Sequence, residues 1–346
     1  MGLRQYVARR AIYTIVLLFI IIAFNFFLFQ VLPFVISCSS TSTYQHCFEN
    51  FYLPEQPPHA SLNASNYYRT LRAAISNAYG LNQPMYVRFG LYFVDMLTFN
   101  FGAHVGTAGA NGPVLTTIEQ KTPFTLLLLG TSTIASFVVG IGLGVVAAAR
   151  RGKILDISSL AILLFLTNFP VFFLGAVLEL TQIGVSGTYY APFGAATFLK
   201  AGYLYYAGIL SALFLPFLAL TLISVGGVFL TQRAVMIDTV AEDYVLMARA
   251  KGLPERTVLY KHAFRNAVLP IVTAFILSLA GILAGAVITE TVFAWPGLGL
   301  AIYEAVINTD FPMEQAMFLI ISIMVLIATF GADVLYGFLD PRVSTG

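Results

Sequence analysis

The sequence predicts an all-α membrane protein with six transmembrane helices and a large extracellular segment between the first and second. Three observations carry this reading. Hydrophobic residues make up 58% of the 346 and charged residues only 10%, with a mean hydropathy of +0.84, which excludes an ordinary soluble domain. Apolar stretches of about 20 residues, enough to cross about 30 Å of hydrocarbon, recur along the chain. Lys and Arg sort by position between those stretches, as in membrane proteins whose inner loops are basic. Helices follow because a chain in lipid must satisfy its own backbone N–H and C=O groups.

The first stretch, 11–31, follows Arg4, Arg9 and Arg10. It is too long for a signal-peptide core and has no small-residue cleavage site, so residues 1–33 read as a cytoplasmic start and a retained signal-anchor helix. The outer segment, 34–121, is rich in Ser, Thr, Asn, Tyr and Pro in its first half. Cys38 and Cys47 there form either a disulfide closing a short loop or two unpaired thiols. Asn63-Ala64-Ser65 is either a glycan acceptor or a chance match to a short pattern.

The second span, 122–149, is dense in small residues, among them Gly140, Gly142 and Gly144, which let membrane helices approach closely. Arg150, Arg151 and Lys153 follow it on the inside. Asn168-Phe169-Pro170 predicts a kink or local unwinding in the third span, 157–180, and Pro216 predicts the same in the fourth, 205–231. A charged inner loop, 232–265, precedes the fifth span, 266–290. An outer loop, 291–314, leads to the sixth span, 315–338, broken only by Asp333, and to a cytoplasmic tail, 340–346. Six spans place both termini on one side, and the basic residues make that side cytoplasmic. Only Arg69, Arg72, Arg88, Lys121 and Lys200 then fall outside. The net charge of +2 is too small to suggest a nucleic-acid partner.

The stretch 242–270, EDYVLMARAKGLPERTVLYKHAFRNAVLP, is the longest strongly charged segment between apolar runs. Its chemistry predicts two short helices with a break between them. Gly252 can take the left-handed conformation that ends a helix, and Pro254 suits the first turn of the next. These residues resemble the cytoplasmic coupling loop of ABC importer permeases, in the form found in the dipeptide/oligopeptide(/nickel) family. Glu242, Asp243, Tyr244, Ala248, Arg249, Ala250, Lys251, Gly252 and Leu253 carry the pattern, and His262, Ala263, Arg265, Asn266, Leu269 and Pro270 continue it. Leu246 and Met247 stand where the wider superfamily has Glu-Ala, a departure usual in the peptide branch.

Other stretches share the resemblance. The run from Gly80 through Gln83-Pro84 to Arg88, the Gly112-Pro113-Val114 stretch, the ending Ala149-Arg150-Arg151-Gly152, the segment 290–299 with Trp295 and Pro296, then Asn308, Asp310, Phe311 and Pro312, and Leu339-Asp340-Pro341-Arg342 all match the family order. Asn82 stands at a position usually acidic, and the family's Pro-Gly-Asp-Pro after the first helix is missing. An expanded region, 35–79, takes its place and has no assignment.

The resemblance implies a type I ABC importer transmembrane domain and the first-permease subunit of such an importer. Its expected partners are a second homologous permease, two cytoplasmic ABC ATPases and an extracellular substrate-binding protein. Residues 242–244 and 248–253 would couple to an ATPase, with Glu242, Arg249 and Lys251 as polar docking contacts. The family carries dipeptides, oligopeptides and nickel, and some members carry oligosaccharides. Glu290, Trp295, Pro296 and Asp310 are candidates for the substrate pathway or its outer gate, Glu290 because ionisable groups near membranes are costly to keep.

The residues exclude several chemistries. No Gly-x-x-x-x-Gly-Lys-Ser/Thr loop is present, so ATP and Mg are expected on partner ATPases and no cofactor on this chain. There is no Gly-x-Ser-x-Gly elbow and no His-Glu-x-x-His motif, and the four histidines are scattered, so neither a catalytic residue nor a metal site is expected. The rival from another class is a stand-alone secondary transporter or channel. Such folds carry intramembrane ionisable pairs and inverted repeats, and the sequence shows neither.

Overall fold

The computed structural model describes residues 3–32, 83–104, 112–186, 202–281 and 287–339. Cys38, Cys47, Asn63, most of the outer segment and the tail 340–346 lie outside the described residues. Among the described residues every regular element is helical, apart from one isolated bridge between Ala103 and Pro113.

The helices run in order. α1 is Leu3–Phe26, continued by a π-helical turn, Phe27–Val31, and α2 is Met85–Leu97. α3 is Val114–Ala149, α4 Ile154–Thr167, α5 Val171–Ser186 and α6 Gly202–Val240. α7 is Asp243–Ala250, and α8 is built of Glu255–Thr257, a π-helical turn Val258–Ala263 and Phe264–Ala267. α9 is Leu269–Gly281, α10 Val287–Val292, α11 Leu298–Asn308 and α12 Phe311–Leu339. Four apolar segments are long enough to cross a membrane: Gln5–Val31, Val114–Ala149, Ile209–Val240 and Phe311–Val334. α4 and α5 together make a fifth only if a bent pair counts as one span.

Several expected boundaries shift. The helix that holds the second span, α3, starts at Val114, well before residue 122, and its 36 residues span about 54 Å. α6 has 39 residues, about 58 Å, and continues past the expected end at 231 to Val240. Both exceed the hydrocarbon thickness. Their surplus turns are the charged ones, Glu119 and Lys121 at the start of α3, Arg233 and Asp238 at the end of α6. Pro216 does not unwind the fourth span, because α6 stays helical through it, as membrane helices can around a proline. At Pro170 the expected kink is a 97° bend. Phe169 precedes proline and is steered away from helical dihedrals, while Asn168 closes α4 by donating from its side chain to the Leu164 carbonyl at 2.8 Å. The fifth stretch is described as α9 and α10, with 282–286 between them outside the description. The stretch 291–314, expected as a loop, contains the 11-residue helix α11.

The chain divides into two compact units: Met1–Thr122 with Ala301–Phe330, and Pro123–Leu300 with Gly331–Gly346. In the first, α2 buries Arg88, Tyr92 and Met96, one residue per turn of a single face. That face meets α1, with Phe26 edge-on to Phe89 and Tyr92 at 5.3 Å and Arg88 donating to Gln30 Oε1 at 2.7 Å. Asn25 of α1 donates to the Gln315 carbonyl of α12 at 3.0 Å.

In the second unit α3 and α6 pack through small residues. A Cβ at Gly140 would stand 2.7 Å from the Val228 Cβ, and one at Gly144 would stand 2.8 Å from the Gln232 Cβ. Two glycines four apart thus meet two α6 residues four apart, the arrangement that lets backbones close up in lipid. Gly142 takes no part in it, since a Cβ there meets nothing within 4 Å.

Candidate functional site

The charged segment between α6 and α9 folds as a compact helical elbow. Asp243 lies in the first turn of α7 and Arg249 in its last, each complementing the helix dipole. Glu242 is the residue preceding the helix, but its carboxylate makes no capping bond and is exposed. α7 buries Val245 and Ala248, spaced three apart on one face. They pack with Met236 of α6, Val145 of α3, and Val258, Leu259, Ala263 and Ala267 of α8. Met236, Val245 and Val258 have no exposed surface, and burying each such side chain contributes about 1.5–3 kcal/mol. The elbow is therefore fused to the end of α6. Ala248 is small because it sits in that packed seam.

The turn follows from Gly252. Its φ is +74°, and its N–H closes onto the Arg249 carbonyl at 2.9 Å. A Cβ there would meet nothing within 4 Å, so what demands glycine is the left-handed backbone and not space. Pro254 stands one position earlier than expected, as the N-cap of α8, where Thr257 and Val258 donate to its carbonyl.

Two contacts that the sequence did not signal brace the elbow. Arg249 forks onto Glu255 across the turn, at 2.8 Å and 3.3 Å. Both side chains are solvent-exposed, so the pair is worth about 0–1 kcal/mol, and it orients more than it stabilises. Asn266 donates to the Tyr244 hydroxyl at 2.9 Å, tying the start of α7 to the end of α8. These partners lie 6 and 22 residues apart, beyond any helical spacing. The elbow's exposed side chains include the apolar Leu246, Met247, Leu253 and Tyr260 and the cations Lys251, Arg256, Lys261 and Arg265. Exposed large apolar side chains together with charge are what a protein-docking surface offers.

The four gate candidates are all buried. Glu290 has no exposed surface: Oε1 accepts the Thr125 hydroxyl at 3.0 Å, and Oε2 accepts the N–H groups of Gly299 at 2.7 Å and Leu300 at 3.1 Å. The Thr125 oxygen in turn accepts the Leu298 N–H at 2.7 Å. Three first-turn N–H groups of α11, which a helix cannot satisfy itself, are thus met by a carboxylate and a hydroxyl. In this conformation Glu290 caps the start of α11. Gly299 is needed beside it, since a Cβ would lie 2.9 Å from the Val287 backbone.

Trp295 donates to the Phe124 carbonyl at 3.0 Å and packs with Leu128, Ile209 and Leu213, and Pro296 beside it is buried. Asp310, in the first unit, is 2.6 Å from His104 Nδ1, and His104 Nε2 is 2.7 Å from the Thr117 hydroxyl. No group of three or more His, Cys, Asp or Glu suited to a metal occurs among the described residues.

Comparison with known proteins gives this geometry its context. Residues 140–345 match the family described as "Binding-protein-dependent transport system inner membrane component". The chain is 33% identical to the oligopeptide transport system permease protein AppB of Bacillus subtilis over 265 residues, 77% of this chain and 82% of that one. It is 28% identical to the dipeptide transport system permease protein DppB of Lactococcus lactis over 344 residues, 98% of this chain and 99% of that one. It is 31% identical to the metal-staphylopine import system permease protein CntB of Staphylococcus aureus over 278 residues, 80% of this chain and 83% of that one. The matched residues include the elbow, the Gly140 and Gly144 seam and α11. This chain belongs to the binding-protein-dependent inner-membrane family and is a multi-pass ABC importer permease of the dipeptide/oligopeptide type, a transport component and not an enzyme.

Proposed function

We propose that this chain forms, with a second homologous permease, the membrane pathway of an ATP-driven importer for peptides or peptide-like solutes. Two cytoplasmic ATPases would hold the ATP and Mg, and an extracellular binding protein would deliver the cargo. The names of the three relatives above point to oligopeptides, dipeptides and metal-staphylopine, and none of the three names an oligosaccharide. The N-terminus, the elbow and the C-terminus would be cytoplasmic, as the basic residues predict.

One observation carries the mechanism: the α7–Gly252–α8 elbow is packed into the end of α6 by a buried cluster while its outer face stays open. When the ATPases close on ATP, a subunit holding that face would move the elbow and the spans attached to it as one body. ATP binding would thereby bias an inward/outward equilibrium, to the extent that the ATPases hold the elbow differently in the two states. Glu242 and Lys251 remain available as polar contacts, whereas Arg249 is engaged with Glu255.

Co-purification from native membrane, with a tag on this chain, tests the assembly. Recovery of a second permease, two ATPases and a binding protein is the expected result, and the ligand carried by the binding protein identifies the cargo. A chain that purifies alone and moves solute down an ion gradient would instead establish the stand-alone transporter.

A further inference from the structure

The end of α6 is fastened to more than the elbow. Three residues before Met236, Arg233 forks onto Asp156 in the first turn of α4, with Nε 2.6 Å from Oδ1 and Nη2 2.8 Å from Oδ2. The Asp156 side chain is 2% exposed and that of Arg233 20%. Asp156 Oδ2 also accepts the N–H of Gly152 at 2.9 Å, and Gly152 takes a φ of +77° in the turn that joins α3 to α4. One carboxylate thus collects donors from α6 and from the α3–α4 turn.

A second attachment lies further along the same pair of helices. Thr167, at the end of α4, donates to the Ile223 carbonyl of α6 at 3.1 Å. Gly226 is pressed so closely against α4 that a Cβ would lie 2.6 Å from the Leu163 carbonyl oxygen. Leu163 packs with Val225 and Phe229 between the two attachments. α4 is therefore held to α6 at both ends, and beyond it the chain turns through 97° into α5.

We infer that Asp156 and Arg233 are a positioning pair that delivers the elbow's displacement from α6 to α4 and α5. Without the pair, α4 would keep the Thr167–Gly226 attachment and the packing of Leu163 on Val225 and Phe229, and its first turn could shift while the end of α6 moves. A buried ion pair is a poor source of net stability, because desolvation offsets much of its attraction and an apolar pair would pack as well. What a two-point guanidinium–carboxylate fork supplies is fixed geometry between two helices. The sequence gives no hint of it, since the partners are 77 residues apart. The inference rests on the importer reading above.

The test uses the complete transporter, co-purified and reconstituted in vesicles, with uptake and ATP hydrolysis measured on the same preparation. The variants are Asp156→Asn, Arg233→Gln, the double variant and Arg233→Lys, which keeps the charge and loses the fork. Each single variant is expected to assemble with its ATPases and hydrolyse ATP, while solute moved per ATP falls by about three- to thirtyfold. The double variant is expected to be no worse than the weaker single one, since no unpaired buried charge remains. Should Asp156→Asn fail to assemble, Arg233→Lys decides alone. Unchanged solute per ATP in assembled variants, or losses that multiply in the double variant, would overturn the pair's role. If the unaltered chain shows no ATP-driven uptake with its co-purified partners, the importer reading itself falls, and the two failures are thus distinct.

Discussion

Both carboxylate oxygens of Glu290 are occupied by donors, from Thr125 on one side and from Gly299 and Leu300 on the other. Glu290→Gln keeps the shape and replaces one acceptor with a donor facing donors. It should lower stability by about 1–3 kcal/mol, read as a lower unfolding temperature of the purified chain. The glycines separate by mechanism. Gly299→Ala drives a methyl into the Val287 backbone and should cost about 1–3 kcal/mol or more, as overpacking does. Gly252→Ala has open space around it and should cost only the left-handed backbone penalty, about 1–2 kcal/mol. Unfolding of the two variants side by side checks the order. Gly252 was legible because its chemistry is local. Glu290's partners, Arg249 with Glu255 and Asn266 with Tyr244 were not, because nothing in a hydrophobic period specifies which distant polar groups will meet.

At the level of elements, the helix bounds differ from the stretches that hydropathy marks, and the differences have identifiable causes. α3 and α6 overrun their expected ends because a helix does not stop where hydrophobicity does. The surplus turns carry charge, Glu119 and Lys121 in α3 and Arg233 and Asp238 in α6, and stay helical. α11 escaped notice because it is short and its cap comes from Glu290 and Thr125 rather than from a neighbouring Ser or Asp. The small residues of the second span were legible as a packing surface, but only the structure separates Gly140 and Gly144, which meet α6, from Gly142, which does not. Gly144→Val should push α6 away from α3 and lower the yield of folded chain, whereas Gly142→Ala should leave it near normal. Size-exclusion profiles and yields of the two variants, compared with the unaltered chain, check this.

For the whole molecule, the central claim is that the elbow transmits ATPase movement to the spans. The buried cluster around Met236, Val245 and Val258 gives that transmission a stiff base, and Gly252 sets the angle of the face that an ATPase would hold. Proline at 252 removes the N–H that closes onto the Arg249 carbonyl, demands a φ near −65° where the native value is +74°, and unseats Lys251 before it. The change lies at an exposed turn, outside the apolar segments long enough to cross a membrane. The most direct measurement is uptake and ATP hydrolysis by the reconstituted transporter carrying Gly252→Pro. The account predicts an inserted, assembled complex that hydrolyses ATP with uptake reduced at least tenfold, an uncoupling of about 1.4 kcal/mol or more. Normal uptake by that variant would contradict it.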